Sequence, residues 1–130
     1  MYMQATIQRK GRILVVEDQA DLRKLVSLTL RTQGHELTEA ASVDEALAVL
    51  AAGVPDIVLL DVMLPGNGNG FDLCRHIKAD DRLRQVQVVV MTASDQAEQR
   101  QRAIEAGADH YVAKPFSPRS LRELVTSLLG

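Results

Sequence analysis

The sequence predicts an α/β fold: a parallel sheet with helices on both faces. Three observations carry that expectation. Short apolar runs (Ile13–Val16, Ile57–Leu60, Val88–Met91, Tyr111–Ala113) alternate with amphipathic segments of helix length. The runs are continuously apolar rather than alternating, as suits strands buried on both faces. Each run also ends on polar groups: Glu17-Asp18, Asp61, Thr92 and Lys114. Strands regularly separated by helices make parallel pairs with right-handed crossovers.

Strand 1 is expected near Arg12–Glu17. Helix 1 spans Ala20–Gln33, with Leu22, Leu25, Val26, Thr29 and Leu30 on one face and Gly34 as its stop. A short strand 2 lies near Glu36–Ala40. Ser42-Val43-Asp44-Glu45 is a capping box that opens helix 2, and Gly53 closes it. Strand 3 is Asp56–Leu60. The Gly/Pro-rich stretch from Pro65 to Gly70 leads into helix 3, with Phe71, Cys74 and Ile77 inward. Strand 4 is about Val86–Met91. Helix 4 runs from Gln96 to Ala106, where Ile104 is the one large apolar anchor and Gly107 the stop. Strand 5 is Tyr111–Ala113. Ser117-Pro118 provides the N-cap and first residue of helix 5, which turns Leu121, Leu124, Val125 and Leu128 inward.

The 130 residues, 46% of them apolar, suit one domain. Residues 1–11, polar with a basic end, read as a flexible N-terminal arm, and 12–130 as the folded unit. Aromatics are only 3%, so Val, Leu, Ile and Ala must build the core. A formal net charge of −2 with interleaved arginines and acids gives no argument for nucleic acid or an anionic membrane. The single Cys74 excludes an internal disulfide and a cysteine metal cluster. No stretch approaches the ~18 apolar residues that span a bilayer, and a cytoplasmic location is expected. His35, His76 and His110 fall in unrelated segments and read as surface residues.

Parallel sheets of this kind bind ligands at the carboxyl ends of their strands, where the polar groups would meet. Two carboxylates 4 Å apart repel by about 4 kcal/mol at an effective dielectric of 20, so three need a cation. With only oxygen donors in reach, that cation is expected to be Mg²⁺. One carboxylate can then act as a nucleophile and become an aspartyl-phosphate. Asp61 stands alone after the central run and suits that part, while Glu17 and Asp18 hold the metal. Lys114 and Thr92 supply a charge and a hydroxyl to the phosphoryl oxygens. The glycines of the 65–70 loop do not form a dinucleotide fingerprint, since Phe71 stands where the last glycine belongs, and there is no P-loop.

These residues resemble the receiver domain of two-component response regulators, the CheY-like family. The resemblance covers about Arg12 to Leu129. Its motifs are Ile13–Asp18, Asp61-Val62-Met63-Leu64-Pro65-Gly66, Met91-Thr92-Ala93 and Gly107 through Phe116. It implies a flavodoxin-like, doubly wound sheet of five strands in order 2-1-3-4-5, flanked by five helices. It implies Asp61 as phosphoacceptor and Mg²⁺ on Glu17, Asp18, Asp61 and the Met63 backbone carbonyl. It implies Thr92 and Lys114 as the phosphate-sensing pair, Tyr111 as an aromatic switch, and a cis peptide at Lys114-Pro115. One departure stands out: Gly70 follows Asp61 by one residue more than the family's usual spacing.

The resemblance implies a regulatory phosphoacceptor rather than an enzyme, with at most slow self-phosphorylation from small donors and self-dephosphorylation. Its partners would be a sensor histidine kinase or phosphotransfer protein and a downstream effector, with no direct nucleic acid or membrane contact. The surface of the fourth helix, fifth strand and fifth helix would switch. A family pattern of charged pairs for dimerisation there is matched by Glu98, Arg100 and Asp109, but not at Ser120 and Leu124. A monomer or weak homodimer is expected, and a stand-alone receiver is preferred over one cut from a longer regulator with a DNA-binding or enzymatic domain. Two other readings fit less well. A haloacid-dehalogenase-type phosphohydrolase would need a general acid at Met63. A flavin-binding module would need aromatics and a hydroxyl-rich loop after strand 1.

Overall fold

The computed structural model describes residues 10–62, 69–93 and 97–130. Its elements are β1 Arg12–Val16, α1 Ala20–Arg31, β2 Glu36–Ala40, α2 Val43–Ala52, β3 Ile57–Asp61 and α3 Gly70–Ala79. A 3₁₀ turn at Asp81–Leu83 precedes β4 Gln87–Thr92, α4 Ala97–Glu105, β5 His110–Ala113 and α5 Pro118–Leu129. Residues 1–9 of the arm, most of the 65–70 loop, and Gln96 lie outside the described residues.

All strand pairs are parallel, in the order β2-β1-β3-β4-β5. Successive side chains in a strand face opposite sides, so each apolar run feeds two cores. Leu14, Val16, Val58, Leu60, Val88 and Val90 pack with residues of α2, α3 and α4. Ile13, Val15, Ile57, Leu59, Val89 and Met91 pack with α1 and α5. The continuous apolar patterning of β1, β3 and β4 is thus the mark of a sheet covered twice.

Strands β3 and β4 extend one residue further than expected. Asp61 pairs with Met91, and Thr92 pairs with Ala113, so both polar residues sit inside the ladder. Ladder bonding there outweighs the low strand propensity of Asp. Ser42 accepts from the Glu45 N–H, and the Glu45 carboxylate accepts from the Ala41 N–H, in a shifted form of the expected capping box. Ser117 caps α5 through the Ser120 N–H.

Three packing expectations need correction. Leu25 is 51% exposed; the buried stripe of α1 is Val26, Ser27, Thr29 and Leu30. Ile104 does not anchor α4, being 59% exposed, and Ala103 and Ala106 are buried in its place. His35 is not on the surface. It is buried, and its Nδ1 accepts a hydrogen bond from the Gly11 N–H at 3.1 Å. On α5, Leu121 and Val125 are buried as expected, joined by Leu129, while Leu124 and Leu128 are partly buried against the same core.

Candidate phosphoacceptor site

The carboxyl ends of β1, β3, β4 and β5 bring the predicted residues together. Glu17 follows β1 and Asp61 ends β3; both are buried, and Asp18 is exposed. Carboxylate oxygens of the three lie within 4.8 Å of one another. Lys114, just beyond β5, donates to Glu17 Oε1 at 2.7 Å and stands 3.4 Å from Asp61 Oδ2. The second Glu17 oxygen accepts the Gln19 N–H at 3.1 Å. Glu17 is therefore a fully buried carboxylate held by an ammonium and a backbone N–H, the condition under which a buried charge is tolerated.

Thr92 ends β4 with 3% exposure, and its carbonyl accepts the Lys114 N–H at 2.7 Å. The hydroxyl and the ammonium thus come from directly bonded backbone segments. The Lys114-Pro115 peptide is cis. Tyr111, in β5, is partly buried against the α2–α4 core, with the Arg100 guanidinium 5.1 Å from its ring centre. Asp109 is engaged within the chain: its Oδ2 accepts from the Val88 N–H at 2.8 Å and from Lys78 Nζ at 3.0 Å. Met63 lies outside the described residues.

Gly70 packs against the end of β3. A Cβ there would fall 2.4 Å from the Asp61 carbonyl oxygen and 2.5 Å from Val62 Cα, and the Gly70 N–H donates to the Val62 carbonyl at 3.1 Å. The longer spacing from Asp61 therefore still delivers this glycine to the backbone of Asp61, at the first turn of α3.

The donor set suits a hard divalent cation. It offers three carboxylates and, among the described residues of the cluster, no histidine or thiolate. Asp18 leaves one side open to water, as a cation that retains part of its hydration requires. The arrangement is an acidic pocket that could hold a metal, with a lysine at its wall.

The response regulator receiver domain model matches residues 13–126. The chain belongs to that family. This receiver domain is 44% identical over 110 residues to the phosphate regulon transcriptional regulatory protein PhoB of Escherichia coli K12, covering 85% of the chain and 48% of that protein. It thus spans about half the length of the curated relatives it matches. Among solved structures it is similar to the chemotaxis response regulator CheY4 of Vibrio cholerae, with a TM-score of 0.86, 27% identity, and coverage of 93% of this chain and 100% of that one. It is also similar to the BeF3-activated DrrB receiver domain, at a TM-score of 0.84 and 32% identity over 93% of this chain and 98% of that chain.

One residue of the site escaped the sequence reading. Arg23, in the first turn of α1, donates from NH1 to the Glu17 carbonyl at 2.8 Å and from Nε to Glu39 Oε1 at 3.1 Å. Its signal in the sequence is faint: an arginine that could as well have been a solvated helix residue. Only the β1–β2 register, which sets Glu39 beside Val15, makes it part of the site.

Proposed function

We propose that this receiver accepts a phosphoryl group on Asp61 from a phosphohistidine of a sensor kinase or phosphotransfer protein, and relays that event to a downstream effector. The reading rests chiefly on the Lys114 ammonium set between Glu17 and Asp61 at the sheet edge. In the transfer, an Asp61 oxygen forms the O–P bond as the donor's N–P bond breaks, and the leaving imidazole takes a proton. Lys114 and Thr92 then hold two phosphoryl oxygens. Glu17, Asp18 and Asp61, with the Met63 carbonyl, would hold Mg²⁺, whose role is to neutralise charge on the transferred group. The chain is a regulatory phosphoacceptor, with at most slow self-phosphorylation from small donors and slow self-dephosphorylation, and it works in the cytoplasm.

The output surface is α4, β5 and α5. Thr92 turning toward the phosphoryl group frees space behind it for Tyr111, and the two arrangements of Tyr111 expose different surfaces to a partner. Because the phosphoryl group contacts Thr92 and Lys114 differently in the two states, it shifts their populations. Monomers or a weak homodimer through that surface are consistent with this output. One observation favours a second arrangement: relatives described as transcriptional regulators are about twice as long as this chain. There the same surface would act on an output domain of a longer regulator.

The test is Mg²⁺-dependent labelling. Incubation with acetyl phosphate and Mg²⁺ should add one phosphoryl group per chain by intact mass. Chelation of the metal or Asp61→Asn should abolish it. Labelling of Asp61→Asn at wild-type stoichiometry would refute the assignment.

A further inference from the structure

We propose that Arg23 is a positioning residue for the metal-holding acids, acting through the peptide bond between Glu17 and Asp18. The inference rests on the proposed divalent-cation role of those acids. Glu17 is the first residue beyond β1, whose ladder with β2 ends at Val16 and Ala40. Its N–H still reaches the Ala40 carbonyl at 3.0 Å, but its own carbonyl has left the ladder. Arg23 supplies the missing donor at 2.8 Å. The two peptide planes flanking Glu17 are thereby each held by one hydrogen bond, the second of them the plane that leads to Asp18, and the direction in which the chain delivers Asp18 is set.

The guanidinium is itself aimed. Its Nε bonds Glu39 Oε1 at 3.1 Å, and the Arg23 side chain is only 17% exposed, so it has little freedom to leave the carbonyl. The Arg23 N–H donates to the Gln19 carbonyl at 2.9 Å, and the Gln19 N–H holds Glu17 Oε2 at 3.1 Å. Helix start, loop peptide and metal acid form one closed circuit. The planar fork of arginine serves two partners at once, which a lysine ammonium on a flexible stem cannot do as well. Outer groups that orient metal ligands typically govern affinity by 10–100-fold.

The sign of the effect separates this role from simple electrostatics. Arg23 is a cation near a cation site, so its through-space influence opposes metal binding. Removing it should tighten binding if charge alone matters, and weaken binding if it orients the ligands.

The experiment is calorimetric titration of the full chain with MgCl₂. Arg23→Met should raise the Mg²⁺ dissociation constant by about tenfold, and the phosphorylation lost at limiting Mg²⁺ should be recovered by raising it. Arg31→Met removes a cation 3.7 Å from the same Glu39, without touching the Glu17 carbonyl, and should leave Mg²⁺ affinity unchanged or slightly tighter. Arg23→Lys keeps the charge but not the fork and should show a smaller loss; it carries the test alone should Arg23→Met unfold. Unchanged or tighter binding in Arg23→Met, wild-type affinity in Arg23→Lys, or equal weakening by Arg31→Met would overturn the inference. Absence of Mg²⁺ binding in the wild type would instead overturn the metal reading on which it rests.

Discussion

The Lys114 ammonium lies closer to Glu17 than to Asp61, 2.7 Å from Glu17 Oε1 against 3.4 Å from Asp61 Oδ2. The lysine thus stabilises a buried carboxylate that a metal would also engage, and the two cations would compete for one anion.

Lys114→Met should therefore have two opposed effects. Without metal, the buried Glu17 loses its charged partner, and breaking a buried pair costs about 3–5 kcal/mol. Mg²⁺ affinity should rise, because its competitor is gone. Urea unfolding with and without Mg²⁺ measures both: the stability gap to wild type should narrow as Mg²⁺ is added. A gap independent of Mg²⁺ would show that lysine and metal do not share Glu17.

Gly70→Ala should damage the site through the backbone. The added carbon would sit 2.4 Å from the Asp61 carbonyl oxygen, so strand or helix must move. Overpacking of this kind costs about 1–3 kcal/mol. The phosphorylation rate should fall with it, since Asp61 is the residue displaced. Wild-type unfolding and wild-type labelling would show that α3 absorbs the shift.

His35 predicts an acid weakness at the opposite edge of the sheet. Burial, and then the nearby Lys10 charge, lower its pKa below the usual 6.5. Its Nδ1 accepts the Gly11 N–H, which only the neutral ring can do. A lowered folded pKa means the unfolded chain binds more protons, so stability rises with pH across the window. The contribution is complete above 6.5 and is lost as pH falls from there toward the folded pKa. Denaturant melts of wild type and His35→Asn should differ in slope over that interval, with the variant flatter. Identical slopes would place the acid sensitivity elsewhere.

The proposed output surface should respond through a weakly held α4. Its one buried residue is Ala103, and large aliphatic burial worth ~1.5–3 kcal/mol per residue is missing because Ile104 faces solvent. Arg102 over the Phe71 ring at 4.5 Å, and Arg100 over Tyr111, are among its remaining attachments. Beryllofluoride with Mg²⁺ should change hydrogen exchange mainly across residues 97–113, leaving α1 and α2 unchanged. Thr92→Ala should bind beryllofluoride but lose most of that response. An equal response in Thr92→Ala would move the coupling to another residue.

The sheet, its helices and the site acids were legible because they are written in local pattern: continuous apolar runs, caps, and polar residues at run ends. What was not legible depends on neighbours distant in sequence. Leu25 has the spacing of a core residue, but α1 rotates so that Ser27 is buried in its stead. Ile104 is the natural anchor by hydrophobicity, yet it is 59% exposed, and α4 turns the small Ala103 to the core instead. His35 reads as a surface residue because nothing nearby in sequence reveals the Gly11 N–H that it accepts. Arg23 acquires its part only from Glu39 on the adjacent strand. Met63, expected to offer its carbonyl, lies outside the described residues.

The most direct measurement is the position of the phosphoryl group. Chains treated with acetyl phosphate and Mg²⁺ are reduced with borohydride, which converts an aspartyl-phosphate to homoserine, and are then mapped by peptide mass spectrometry. Homoserine at position 61, dependent on Mg²⁺ and absent without donor, is the predicted result. An unmodified Asp61 alongside a modified residue elsewhere would contradict the account.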